Sequence, residues 1–319
     1  MKTNNYEIQT LQAYLKSLQE FGILTKVELK KALTQAKKGK ITNKKALIAH
    51  SKKDQHQTAL RLEMKEGLTQ IKKTAKKLAG YFLEFASENQ QQAIQSSELS
   101  SLAHYFCSYT ESIMDDLDFL SSVQSLLDKS PLGSLNGFGT HFLIPRESAR
   151  KELKFKKLQI NSLYCARSKE KFSRLHAEVL SQIMLSLSLF ANDSLNFLKD
   201  QTLKLRKSYE PKDLRKILKL KRHTTETTLQ SLETALKFTK AFQTSENTSK
   251  AKKSQIIKKL AIQLAIEKKT HLEMATKRIQ KNFNKFPNLT PQELLKSKIS
   301  LGAPGNLDIN HYKNRLRKV

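Results

Sequence analysis

Between Gln55 and Ala86 the apolar residues Leu60, Met64, Leu68, Ile71, Ala75, Leu78, Phe82 and Phe85 advance by alternating threes and fours. That spacing places all of them on one stripe of a long α-helix with a continuous buried face. A second stripe, Leu102, Phe106, Tyr109, Ile113, Leu117 and Leu120, predicts another long helix that ends before Ser130-Pro131-Leu132-Gly133. Two such helices need others to cover them, so the chain should be a bundle. Further helical patterns run from Arg167 to Leu198, from Lys212 to about Phe242 and from Ser254 to about Phe283. Nearer the start, Thr25 and Glu28 have the spacing of a capping box, and a helix should begin there and stop at the Lys-Gly-Lys around Lys38. Gly133, Gly137 and Gly139 mark a loop, and the Ser, Thr, Asn and Lys of Gln243 to Lys253 mark a break. Nine glycines, six prolines and no tryptophan suit helices rather than sheets.

At 319 residues the chain is long enough to bury a core without disulfides or metals. Cys107 and Cys165 lie in apolar periodic stretches outside any zinc spacing and read as reduced thiols. No run of about 18 apolar residues occurs, and the N-terminus lacks a basic segment followed by an apolar one, so a soluble cytoplasmic protein is expected, with no membrane partner. Lys and Arg number 58 against 29 acids, a formal charge of +29. The excess is uneven: Leu83 to Asp128 holds no Lys or Arg and eight acids, whereas basic residues crowd Leu198 to Lys285. Basic and acidic helices can therefore pair within or between chains, and a polyanion or acidic protein is a candidate partner. Pairs such as Lys221-Arg222 and Lys252-Lys253 suit phosphate contacts, but aromatic interleaving is sparse and a solvated helix face explains them better. Walker loops, GxGxxG, HExxH and GxSxG are all absent.

The segment SPLGSLNGFGTHFLIPRESARKELKF, Ser130 to Phe155, resembles the SPLGxGALAGTxFPIDRExxAxxLGF stretch of argininosuccinate lyases without a gap. Pro131, Leu132, Gly133, Gly139, Thr140, Phe142, Ile144, Arg146, Glu147, Leu153 and Phe155 match. Asn161-Ser162-Leu163 resembles the start of the family's NSLDAVSDRD, and Leu187 to Phe197 its LSRLAEDLILW. Upstream, the run from Ser51 through Asp54 to Leu62 is similar to SRNDQVATDLRL; downstream, Leu229, Leu232, Leu236 and Lys237 match a later helix, and Leu294 to Pro304 is similar to a closing SxGGTAP. The resemblance covers about residues 8 to 313. It implies an all-α, long-helix bundle of the fumarase/aspartase type with a reduced C-terminal domain, assembled as a homotetramer whose active sites each draw on three subunits. The expected divisions are an N-terminal helical region (1–54), the central bundle (55–285) and a residual C-terminal segment (286–319).

Such a lyase eliminates fumarate by removing a carbon-bound proton beside a carboxylate, which requires a positioned base and stabilisation of the developing anion. The family's base is a serine in a GSSxMPQKKNPD loop. Read back from Asp213, Thr202, Leu203 and Lys204 stand in place of GSS, and Ser208, Tyr209, Glu210 and Pro211 in place of QKKN. The family's histidine segment falls on Asn89 to Leu99, which has no histidine. Lys52 and Lys53 replace the Arg and Asn of SRND, which degrades bidentate recognition of a carboxylate, and Tyr164 replaces the aspartate of NSLD. The remnants of substrate binding implied by the resemblance are Ser51, Asp54, Thr140, Asn161 and Ser162. No catalytic residue, metal ligand or cofactor site is expected.

Three readings follow: a noncatalytic lyase homologue that assembles or binds; a divergent lyase of arginine biosynthesis using Lys204 or Ser208; or a basic helical module for nucleic acid or acidic proteins. His104 and His176 lie inside helical stretches and read as satisfied interior or boundary residues, and His141 as a loop residue. Gly133, Gly139 and Thr140 read as a turn between two core helices rather than a ligand cradle.

Overall fold

The computed structural model describes residues 2–38, 41–90, 92–95, 99–139, 141, 143–206, 209–244 and 307–318. Ten α-helices carry the described chain: α1 (Lys2–Glu20), α2 (Lys26–Lys37), α3 (Lys52–Glu88), α4 (Leu102–Leu127), α5 (Arg146–Glu152), α6 (Ser162–Arg167), α7 (Lys169–Lys199), α8 (Lys212–Lys219), α9 (Thr225–Ala241) and α10 (Ile309–Lys318). The strands are short pairs. β1 (Ala93–Gln95) runs antiparallel to β2 (Leu99–Ser101), β3 (Lys129–Ser130) parallel to β4 (Lys157–Leu158), and β5 (Leu203–Leu205) antiparallel to β6 (Phe242–Thr244). The fold is an all-α long-helix bundle, as the spacing of apolar residues predicts.

The chain divides into two compact units: residues 1–73, 118–182 and 223–229 form the first, and 74–117, 183–222 and 230–319 the second. In the first, Tyr14, Leu15 and Leu18 of α1, Ala32 and Ala36 of α2, and Leu132, Leu153 and Phe155 form one buried cluster. The capping box of α2 is present: the Glu28 amide donates to the Thr25 hydroxyl at 3.2 Å, and the Thr25 amide to the Glu28 carboxylate at 2.8 Å. Gly67 lets helices approach closely, because a Cβ there would stand 2.6 Å from the Thr225 methyl.

In the second unit the core is aromatic. Phe82 of α3, Phe106 and Tyr109 of α4, Phe190 of α7 and Phe242 of β6 are all buried. Phe82 and Phe190 have centroids 4.9 Å apart, and Phe82 meets Phe106 edge-on at 5.6 Å, geometries that add to the gain from burial itself. The apolar stripe of α3 is buried from Leu68 to Phe85, whereas Leu60 and Met64 are only half-buried.

Four expectations need correction or placement. The pattern from Lys212 to Phe242 is two helices, because Leu220 turns to extended backbone and the Thr224 hydroxyl accepts from the Thr227 amide, starting α9 anew. The pattern from Arg167 is broken at Ser168, which ends α6 before α7 begins. The helix expected over 254–283 and the motif at 294–304 lie outside the described residues. Cys107 and Cys165 are free and buried.

Candidate functional site

The site is built from the loop after β3. Gly133, Leu135, Asn136, Gly137 and Gly139 all have positive φ. Two of these, Leu135 (φ 50) and Asn136 (φ 57), are adjacent non-glycine residues in the left-handed region. Such backbone costs on the order of 1–2 kcal/mol per residue and persists only where the surroundings enforce it. The enforcing group is Asp54. Its side chain is buried in the first turn of α3, and its carboxylate accepts from the Leu135 amide at 2.7 Å and the Asn136 amide at 3.4 Å. Ser51 accepts from the Asp54 amide at 3.2 Å, capping α3, and donates to the Asn136 side-chain oxygen at 3.1 Å.

From the other side, the Ser162 hydroxyl donates to the Gly137 carbonyl at 2.9 Å, and Asn161 caps α6 by accepting from the Tyr164 amide at 2.8 Å. The Arg146 guanidinium fastens the loop base, donating to the carbonyls of Leu132 at 2.8 Å, Gln159 at 2.8 Å and Ile160 at 3.2 Å. Three of the five remnants named from sequence, Ser51, Asp54 and Ser162, therefore bond one turn, residues 135–137, and Asn161 adjoins Ser162 in the chain. Thr140 lies outside the described residues, as does Ser208. Lys204 is exposed in β5, within the other unit.

Beside this turn is a cleft of about 450 Å³ lined by Lys52, Lys53, Asp54, Gln57, Asn136 and Lys169, among others. Sequence reading missed what lies behind it. At its head the buried face of α3 is polar: Asp54, Gln57, Thr58 and Arg61 are each under a tenth exposed. Arg61 donates to the Lys129 carbonyl at 2.6 Å and the Ser168 hydroxyl at 3.4 Å, and lies 4.0 Å from the Phe172 ring centroid. Burial lowers its pKa to about 10. The signal was available, since charged residues fall at a helical spacing on the face that the bundle must cover.

His176 and His104 are half-buried and hydrogen-bonded. His176 is pushed down to about 4 by burial, with its ring 3.3 Å from the Thr225 hydroxyl, and His104 pairs with Ser100 at 2.9 Å. His141 is exposed. In the second unit Ser112, Ser186 and Asp116 form a chain of hydrogen bonds at 2.7 and 2.6 Å. Burial raises the Asp116 carboxyl to about 6. Among the described residues no group of His, Cys, Asp and Glu could hold a metal ion, and no helix is long and apolar enough to cross a membrane.

Argininosuccinate lyase of Thermotoga neapolitana is 31% identical over 236 residues, covering 62% of this chain and 58% of that enzyme. The corresponding enzyme of Xylella fastidiosa is 26% identical over 224 residues, covering 59% and 50%. The chain is similar in sequence to argininosuccinate lyases. It spans 58% and 50% of the length of these two enzymes. No family model matches it. Among solved structures, EDDS lyase with formate superposes with a TM-score of 0.81 at 14% identity, over 99% of this chain and 86% of that one. Class II fumarase of Schistosoma mansoni gives 0.67 at 10%, over 92% and 91%. At such identities these superpositions establish that this chain shares their helical fold.

Proposed function

We propose that this chain keeps the scaffold of its family without the elimination reaction, and serves through binding and assembly. The observation that carries this is the engagement of Asp54. Both of its oxygens accept from backbone amides of the left-handed turn, so neither is presented to a substrate. The same holds for the Ser51 and Ser162 hydroxyls and the Asn161 amide oxygen, each of which is tied to backbone or to Asn136. Where the family's GSS aligns, Leu203 is buried in β5 and Thr202 and Lys204 flank it, so no serine stands at those three positions. Loss of one general acid or base costs about 10² to 10⁴ in rate, and here a base and its histidine partner are both replaced. The functional test is fumarate release from argininosuccinate by the purified full chain, followed by ultraviolet absorbance. None should be detected; turnover near one per second, an ordinary enzymatic rate, would establish a divergent lyase instead.

A further inference from the structure

Arg61 is a charged group that the turn at residues 135–137 does not use. It is 2% exposed, its Nη1 and Nη2 donate to the Lys129 carbonyl and the Ser168 hydroxyl, and the Phe172 ring covers one face of it. Among the described residues no carboxylate bonds it. Asp128, beside Lys129 in the chain, is taken by Lys65 at 2.5 Å and by the Lys156 amide at 3.1 Å. Burial pushes the Cys165 thiol up, so it stays neutral and supplies no counter-charge. Even lowered to about 10, Arg61 is a cation at neutral pH, and a buried cation without a counter-ion is strongly destabilising.

A second observation lies at the same place. Arg61 Nε has no hydrogen-bond partner, and neither has Ser130 Oγ nor Gln159 Oε1, on residues 0% and 3% exposed. Hydrogen bonds bring the three residues together. Gln159 and Arg61 donate to the same Ser168 hydroxyl at 2.8 and 3.4 Å, the Gln159 backbone amide donates to the Ser130 carbonyl at 2.9 Å, and Arg61 holds the carbonyl of the residue before Ser130. A half-turn of the Gln159 side-chain amide exchanges its oxygen for its nitrogen. The Ser168 hydroxyl then donates to Gln159 instead of the Cys165 carbonyl, which keeps the Gln57 side-chain amide as its donor at 2.8 Å. Arg61 Nε, Ser130 Oγ and Gln159 Nε2 become three donors, with no acceptor left unpaired. None of these residues lines the cleft at the head of α3.

We propose that Arg61, Ser130 and Gln159 bind one small monatomic anion, chloride. A water molecule completes the same hydrogen bonds but leaves the charge uncompensated, whereas a halide does both. The near-complete burial of all three side chains excludes phosphate, carboxylates and polymers. Because the three residues belong to α3, to β3 and to the segment after β4, the ion ties together the base of the loop from Pro131 to Pro145. The site stands whether or not the chain releases fumarate.

The test is the melting temperature of the full chain in bromide against gluconate, at constant ionic strength and with one cation. Above the dissociation constant, each tenfold rise in bromide should raise it by roughly 3 °C or more. Gluconate, too large to be enclosed, should have no such effect. Arg61→Met, which keeps a long side chain without its charge, should abolish the dependence. K219Q/K221Q, which removes two exposed charges in the other unit, should keep it and so controls for diffuse attraction to a +29 chain. Anomalous diffraction from crystals grown in bromide should place a peak at hydrogen-bonding distance from Arg61 Nε and Ser130 Oγ. A water in that position, no bromide dependence, or a dependence that survives in Arg61→Met would each overturn the proposal. If Arg61→Met failed to fold, presence or absence of the bromide peak in the native chain would decide it.

Discussion

Asp116 shows how one buried carboxyl sets a pH dependence. Its value in the folded chain is about 6, above the ordinary 3.8, chiefly because burial disfavours the charged form. Below about pH 4 the group is protonated whether folded or unfolded and costs nothing. As the pH rises through 6 the unfolded chain has already ionised while the folded chain resists, so stability falls over that window and stays lower above it. Asp116→Asn keeps an acceptor for the Ser186 hydroxyl and removes the charge. Its melting temperature should exceed the native value at pH 7.5 and equal it at pH 3.5; an identical difference at both would show that Asp116 does not titrate as described. No sequence pattern signals this behaviour, because the shift comes from α4 and α7 packing together.

At the scale of elements, the loop from Pro131 to Pro145 is the part on which the candidate site depends. Gly133 has φ +79, and a Cβ there would lie 2.9 Å from Cγ of Arg146, the residue whose guanidinium holds three carbonyls. Gly133→Ala should therefore cost about 1–2 kcal/mol from backbone strain alone, read as a lower denaturation midpoint, and an unchanged midpoint would mean the loop bears no such strain. The long helices α3 and α4 were legible because apolar spacing reports a buried stripe directly. The left-handed Leu135 and Asn136 were not, since only glycine advertises positive φ and here a distant Asp54 imposes it. The polar head of α3 escaped for a related reason: a search for apolar periodicity passes over Asp54, Gln57 and Arg61 although they face inward. The run of threonines from Thr224 reads as helix by spacing, yet the Thr224 side chain competes for the backbone and starts a new helix.

For the whole molecule, the stripes on α3 and α4 are covered within a single chain from Leu68 onward, which removes length of stripe as a reason for assembly. Among the exposed large apolar residues are Leu185 and Leu189, one turn apart on α7 and each more than half exposed. We propose that these take part in a homo-oligomer, a tetramer by family resemblance. Like charge opposes it, but repulsion is screened beyond about 8 Å at physiological salt. Light scattering should accordingly show assembly strengthening as salt rises, and a monomer at both low and high salt would refute it. We propose that what this chain keeps of the lyase motifs serves its fold rather than a reaction. Asp54→Ala tests this most directly, because it leaves the amides of half-buried Leu135 and exposed Asn136 without their acceptor, at about 1–3 kcal/mol for the Leu135 amide. Its melting temperature should be lower by roughly 2 °C or more, given about 2–4 °C per kcal/mol in large domains. An unchanged melting temperature, together with loss of ligand binding, would contradict it.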